Sequence, residues 1–255
     1  MNDPFDIAGR HVLVTGASSG LGAFFACVLA ERGARVTLAA RRREVLDKVV
    51  SSIFADGGLA SAVAVDITDS AAVGAAYDAA ENAGGPVEVL INNAGVADTR
   101  KALDVDADTF DRVMDTNLRG AWLASREFGA RRSAAGGGGS IVNIASILAF
   151  RVAGQVMPYA VSKAALVQMT KALALEWARH GIRVNAIAPG YFETDLNAPF
   201  LASDAGQAIL NRVPMRRAGR LDELTGPLLL LVSDAGSFMT GSVVAVDGGH
   251  LVSSL

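Results

Sequence analysis

Short runs of apolar, often β-branched residues recur along this chain, at positions 11–14, 35–40, 60–65, 87–92, 140–145, 183–188 and 242–246. Such near-continuous apolar runs are what strands buried on both faces require. Longer stretches of helical character separate most of them, at 23–32, 43–54, 70–83, 106–133 and 159–180. Strand and helix in alternation predict an α/β fold with a parallel, doubly wound sheet and helices on both faces. In such sheets ligands lie outside the carboxyl ends of the strands. The polar residues just past each apolar run are therefore the ones to collect.

Composition fits one globular core: 255 residues, 51% hydrophobic and 19% charged, with no Pro/Ser-rich linker to divide them. The prediction is a single domain over 1–255. A net charge of −3 gives no electrostatic reason to expect nucleic acid or an anionic membrane as partner. No apolar run approaches transmembrane length, and the acidic N-terminus has no secretory n-region, so a cytoplasmic protein is expected. The single cysteine, Cys27, sits inside the first helix and reads as a core residue. Residues 136–139, all glycine, read as a flexible connector without function.

The first strand runs into Thr15, Gly16, Ser18, Ser19, Gly20, Leu21 and Gly22, and a helix follows that Gly33 closes. Strand, glycine turn, helix is the context of a dinucleotide fingerprint. Gly16 permits the tight turn, Gly20 lets backbone approach a pyrophosphate, and Gly22 lets helix and strand pack closely. The helix N-terminus then offers unpaired N–H groups to the phosphates. The second strand ends at Ala40, where NAD-selective enzymes place an acid on the ribose, and Arg41 and Arg42 follow. Loss of the acid and gain of a guanidinium predict NADP as cofactor, with NAD less favoured. Arg41 is the first choice for the 2′-phosphate, and Arg42 is the alternative.

Past the later strands come Asp66, Asn92 to Gly95, Ser146, and Pro189-Gly190 with Thr194 beyond. Each alone is compatible with ordinary turn chemistry. Tyr159 and Lys163, four apart on a helix, project from one face. A neighbouring ammonium favours phenolate and brings a tyrosine toward acid–base chemistry. Ser146 precedes the tyrosine by 13 positions. His11, His180 and His250 are scattered and form no metal-ligand set.

Together the glycine turn at 15–22, Asn-Asn-Ala-Gly at 92–95, Asn117, Ser146, Tyr159, Lys163, Pro189-Gly190 and Asp247-Gly-Gly resemble the short-chain dehydrogenase/reductase family over essentially the whole chain. The resemblance implies a Rossmann-like domain with about seven parallel strands. It implies a tetrad of Asn117, Ser146, Tyr159 and Lys163, in which Tyr159 moves a proton and Ser146 bonds the substrate oxygen. Lys163 would lower the phenol pKa and hold the nicotinamide ribose, and Asn117 would position a relay water. Asp66 and Ile67 would flank the adenine. Asn93, Ala94 and Gly95 would meet the adenosine side, and Pro189, Gly190, Phe192 and Thr194 the nicotinamide.

In this family a segment after the sixth strand, here about 191–215, covers the active site. Its Phe192, Leu196, Phe200, Leu201 and Leu210 offer apolar surface for a hydrophobic ketone, with Ile147, Val152 and Val96 beneath. The leading expectation is an NADPH-dependent reductase of ketones or 3-oxoacyl groups. The alternatives are a dehydrogenase of a secondary alcohol, sugar or steroid, and a dinucleotide-binding sensor or scaffold without chemistry. Arg216, Arg217 and Arg220 could meet an acidic carrier or form a solvated cluster. The resemblance also suggests a homotetramer, and surplus apolar residues (Leu166, Met169, Leu173, Trp177, Val243, Val244, Leu251, Val252) would be covered by self-association.

Overall fold

The predicted strands all form, within two residues at each end, in the computed structural model, which describes residues 3–194 and 198–253. The chain runs β1 (His11–Thr15), α1 (Gly20–Glu31), β2 (Arg35–Ala40), α2 (Arg43–Ala55), β3 (Leu59–Ala64), α3 (Ser70–Gly84) and β4 (Val89–Asn92). It continues through α4 (Ala107–Met114), α5 (Gly120–Ala135), β5 (Gly139–Ile144), α6 (Met157–Trp177) and β6 (Ile182–Pro189). Last come α7 (Ala198–Ala202), α8 (Asp204–Leu210), α9 (Thr225–Val232) and β7 (Val243–Val246).

All seven strands are parallel in one sheet of order β3-β2-β1-β4-β5-β6-β7, a Rossmann-like arrangement. Strand β1 pairs with β2 on one side, Val14 opposite Leu38, and with β4 on the other, Val14 opposite Ile91. The order reverses between β1 and β4, and that switch point opens a crevice for ligand. Two cores sandwich the sheet. Phe25, Leu29, Leu46, Leu228 and Leu231 pack on one face, and Tyr77, Leu123, Phe128 and Leu173 on the other. Full two-sided burial holds only for the middle strands: β3 and β7, at the edges, are half-exposed.

Three local expectations need correcting. The helix expected over 106–133 is interrupted by a π-helical turn, Asp115–Arg119, carrying the buried Asn117. The glycine connector is not loose: Arg132 donates from Nη2 to the Gly137 carbonyl at 2.7 Å and from Nε to that of Gly138 at 2.5 Å. Of the apolar residues assigned to self-association, Leu166 and Leu173 are buried in the chain's own core, and Met169 and Trp177 pack against it.

At the amino edge of the sheet His11 is buried and joins three segments. Its Nδ1 lies 2.7 Å from the Gly85 carbonyl and its Nε2 2.8 Å from the Thr37 hydroxyl, which contacts Ser61 at 2.9 Å. Burial first, then the charge of Arg35, hold this imidazole below its ordinary pKa, against the Gly85 bond and nearby carboxylates. The neutral ring donates from Nδ1 to Gly85 and accepts at Nε2 from Thr37. No helix among the described residues is long and apolar enough to cross a membrane.

Candidate active site

The carboxyl ends of the strands frame one open cleft of about 1700 Å³. Its walls include Gly16, Ser18, Ser19, Gly20, Leu21, Arg41, Arg42, Asp66 and Ile67 at one end. Asn93, Ala94 and Gly95 lie mid-cleft, and Ser146, Tyr159, Lys163, Pro189, Gly190, Phe192 and Thr194 at the other end. Most residues singled out in the sequence therefore meet on one surface.

The dinucleotide turn is built by close approach. A Cβ on Gly22 would lie 2.4 Å from both the Gly16 carbonyl oxygen and Asn93 Nδ2, so Gly22 is a packing position and not part of the cleft wall. Gly20, with φ of +56° and open space where a Cβ would stand, faces the cleft. Asn93 locks this turn, its Nδ2 donating to the carbonyls of Thr15 and Gly16, both at 3.1 Å. Helix α1 has Ser19 at its N-cap without a side-chain capping bond, whereas Asp69 caps α3 by accepting from Ala71 and Ala72. Helix α1 thus begins at the cleft with amide groups that no cap side chain satisfies, the arrangement that binds phosphate. The residues fit a dinucleotide.

At the second-strand end, Arg42 Nη2 donates to Ser18 Oγ at 3.2 Å, tying that guanidinium to the glycine turn. Arg41 is exposed and makes no hydrogen bond or ion pair among the described residues. Asp66 accepts at Oδ1 from Thr68 N at 2.9 Å and Thr68 Oγ1 at 2.8 Å, and these bonds hold its carboxyl below the usual range.

At the reaction end, Ser146 follows β5 and Tyr159 and Lys163 lie on the first turns of α6. Lys163 is buried; its Nζ donates to the Ile144 carbonyl at 2.7 Å and stands 5.6 Å from the Tyr159 ring centroid. Burial drives its pKa down to about 8. Burial also raises the Tyr159 phenol; a hydrogen bond with Ser146 opposes this, and Tyr191 reinforces it. The depression of the phenol expected from the lysine does not appear; desolvation sets the direction. A phenol kept protonated is equipped to donate its proton to an oxygen gaining charge, with Ser146 aimed at the same point.

Asn117 does not line the cleft. Its Oδ1 accepts from Val96 N at 2.7 Å, and its Nδ2 donates to the Val96 carbonyl at 2.9 Å and to Ser162 Oγ at 3.0 Å. A Cβ on Gly95 would sit 3.3 Å from Asn117 Oδ1 and 3.6 Å from Lys163 Nζ, so glycine spaces the two. The side chain holds the loop after β4 against α6, and the π turn lets it reach there.

Several substrate-pocket expectations move. Ile147 is buried behind the wall, and Val152 is 92% exposed and off the cleft. Phe192, Leu201 and Leu210 pack inward, while Phe200 is partly exposed; Leu196 lies outside the described residues. Val96 does line the wall, together with Tyr191 and Glu193, which the sequence did not single out for substrate. Cys27 is half-buried and also lines the cleft. Arg217 is paired with Glu223 at 2.6 Å and Arg220 with Asp222 at 3.2 Å. These internal pairs favour a solvated cluster over a carrier site.

A family model described as enoyl-(acyl carrier protein) reductase matches residues 16–250. Gluconate 5-dehydrogenase of Gluconobacter oxydans is 37% identical over 252 residues, covering 98% of each chain. A short-chain type dehydrogenase/reductase from Mycobacterium marinum superposes with a TM-score of 0.93 at 38% identity, covering 97% of this chain and 98% of that one. This chain belongs to the short-chain dehydrogenase/reductase family. It is an enzyme of that class, and the reading as a sensor without chemistry is set aside. A gluconate 5-dehydrogenase from Burkholderia cenocepacia, in complex with NADP and tartrate, has a TM-score of 0.94 at 33% identity and 99% coverage of both chains. These relatives agree better with the sugar and secondary-alcohol alternative than with 3-oxoacyl reduction.

Proposed function

We propose that this enzyme interconverts a secondary alcohol and a ketone on a polyhydroxylated chain, a sugar acid or polyol, with NADP as cofactor. One observation carries the reading: the reaction end of the cleft is lined by the polar side chains of Ser146, Tyr159, Tyr191, Glu193 and Thr194. Of the apolar residues counted toward a hydrophobic ketone, Leu201 and Leu210 are buried in packing, while Phe192 and Val96 stay on the cleft wall. A site lined by hydrogen-bonding groups rejects substrates that leave them unpaired.

The cofactor, when bound, supplies or accepts the hydride. Tyr159 gives a proton to the carbonyl oxygen in reduction and takes it back in oxidation, and Ser146 orients that oxygen. Lys163 holds positive charge beneath, and Asn117 acts through the loop it clamps. Arg41 and Arg42 favour NADP by offering cations where an acid would repel a 2′-phosphate. The described parts of the segment after β6, 191–194 and 198–215, cover the substrate. The exposed Val161 and Leu175 of α6 and Val252 near the C-terminus support self-association, and a monomeric mass by light scattering would refute it.

The test is a panel of gluconate, galactitol, cyclohexanol and a 3-oxoacyl thioester, each with both cofactors. Highest kcat/KM for a polyhydroxylated substrate with NADP is expected. Preference for the thioester or cyclohexanol would overturn the substrate class, and preference for NAD the cofactor.

A further inference from the structure

Tyr191 is a polar wall residue whose side chain neither the fold nor the tetrad uses. It follows Gly190 at the end of β6, beside the end of β5 that leads to Ser146, since Ile144 and Ile187 are paired. Its backbone is pinned on a rigid element: its carbonyl accepts from Gly219 N at 2.8 Å, and Phe192 and Gly219 form a parallel bridge. Behind the ring stands His250, with centroids 5.8 Å apart and planes at 35°. The phenol is half-buried, lines the same cleft as Ser146 and Tyr159, and its hydroxyl makes no hydrogen bond to the described residues.

A half-buried hydroxyl held this rigidly without a protein partner gains most from a ligand that supplies one. We infer that Tyr191 is a specificity-determining residue whose phenol hydrogen-bonds a hydroxyl on a carbon neighbouring the reacting one. The inference deepens the polyhydroxylated-substrate reading and rests on it for the natural substrate. The contact itself needs only a vicinal diol. Tyr191 reads that second hydroxyl, while Tyr159 and Ser146 handle the first. Apolar secondary alcohols make no use of it.

The measurement is kcat/KM for butane-2,3-diol and butan-2-ol, in the wild type and in Tyr191→Phe, with NADP. The wild type should favour the diol, and Tyr191→Phe should lose about tenfold on the diol while leaving butan-2-ol within about twofold. Equal losses on both alcohols would show a merely structural tyrosine and overturn the inference. So would no change on either, or a wild type that does not turn over the diol or does not prefer it. Gluconate turnover by the same wild-type sample is scored separately. Its absence alongside a Tyr191-dependent diol preference would fail the sugar-acid reading and keep the contact.

Discussion

The two ends of the cleft are built differently. At the reaction end Lys163, Asn117 and Ser146 are buried, and each makes hydrogen bonds within the protein. At the adenosine end Arg41 and Arg42 are exposed, and among the described residues their one side-chain hydrogen bond is from Arg42 to Ser18 at 3.2 Å. Buried groups are positioned to within fractions of an ångström, and burial shifts their protonation. Exposed cations keep their charge and select a ligand by sign and reach. On the proposed function the reaction is set by geometry and the cofactor by charge, which would make the two separable by mutation.

The largest effect that could break this contrast is at Tyr159. Tyr159→Phe removes only a hydroxyl, so turnover should fall by roughly 10²–10⁴-fold while NADPH binds as before. Stopped-flow hydride transfer and a fluorescence titration of NADPH read the two quantities. Lys163→Ala should be mixed, because the ammonium bonds the Ile144 carbonyl and also faces the cleft. Turnover should drop by about a hundredfold and NADPH affinity by about tenfold. Unchanged NADPH affinity would remove lysine from cofactor binding.

Charge variants at the other end should act on affinity. Arg41→Ala and Arg42→Ala should each weaken NADPH by about tenfold, leave NADH almost untouched and spare the rate at saturation. If only Arg42→Ala matters, the arginine tied to Ser18 meets the phosphate and Arg41 faces water.

The smallest effect tests a region outside the cleft. Because burial lowers the His11 pKa, the folded chain binds fewer protons than the unfolded one. Its contribution is full above about pH 6.5 and is lost as pH falls toward the folded value. His11→Gln should flatten the acid limb of a denaturation series below about pH 6.5, with cofactor binding unaffected.

The sheet was legible because apolar runs and glycine spacing are local signals, as the strands around Val14 and Ile91 show. Gly16, Gly20 and the serine, tyrosine and lysine were legible because their chemistry depends on residue type and spacing. The break at Asn117 was not, since a π turn forms to let one amide reach Val96 and Ser162, contacts far away in sequence. The phenol's direction of shift was not legible for the same reason: sequence shows the neighbouring lysine but not the burial that raises the phenol. Val152 and Ile147 were misplaced because a loop of apolar residues has no period to say which of them faces inward. Tyr191 lies in the covering segment with no sequence signal of its own; the Gly219 N–H bond to its carbonyl fixes where it stands.

Separability is tested most directly by a double-mutant cycle between Tyr159→Phe and the paired change Arg41→Ala with Arg42→Ala. NADPH dissociation constants and single-turnover rates at saturating cofactor are measured on all four proteins. The arginines should account for all the change in affinity and Tyr159 for all the change in rate, with the two adding to within about 0.5 kcal/mol. An arginine pair that slows the saturated step as much as Tyr159→Phe does, or a Tyr159→Phe that weakens NADPH tenfold, would contradict the account.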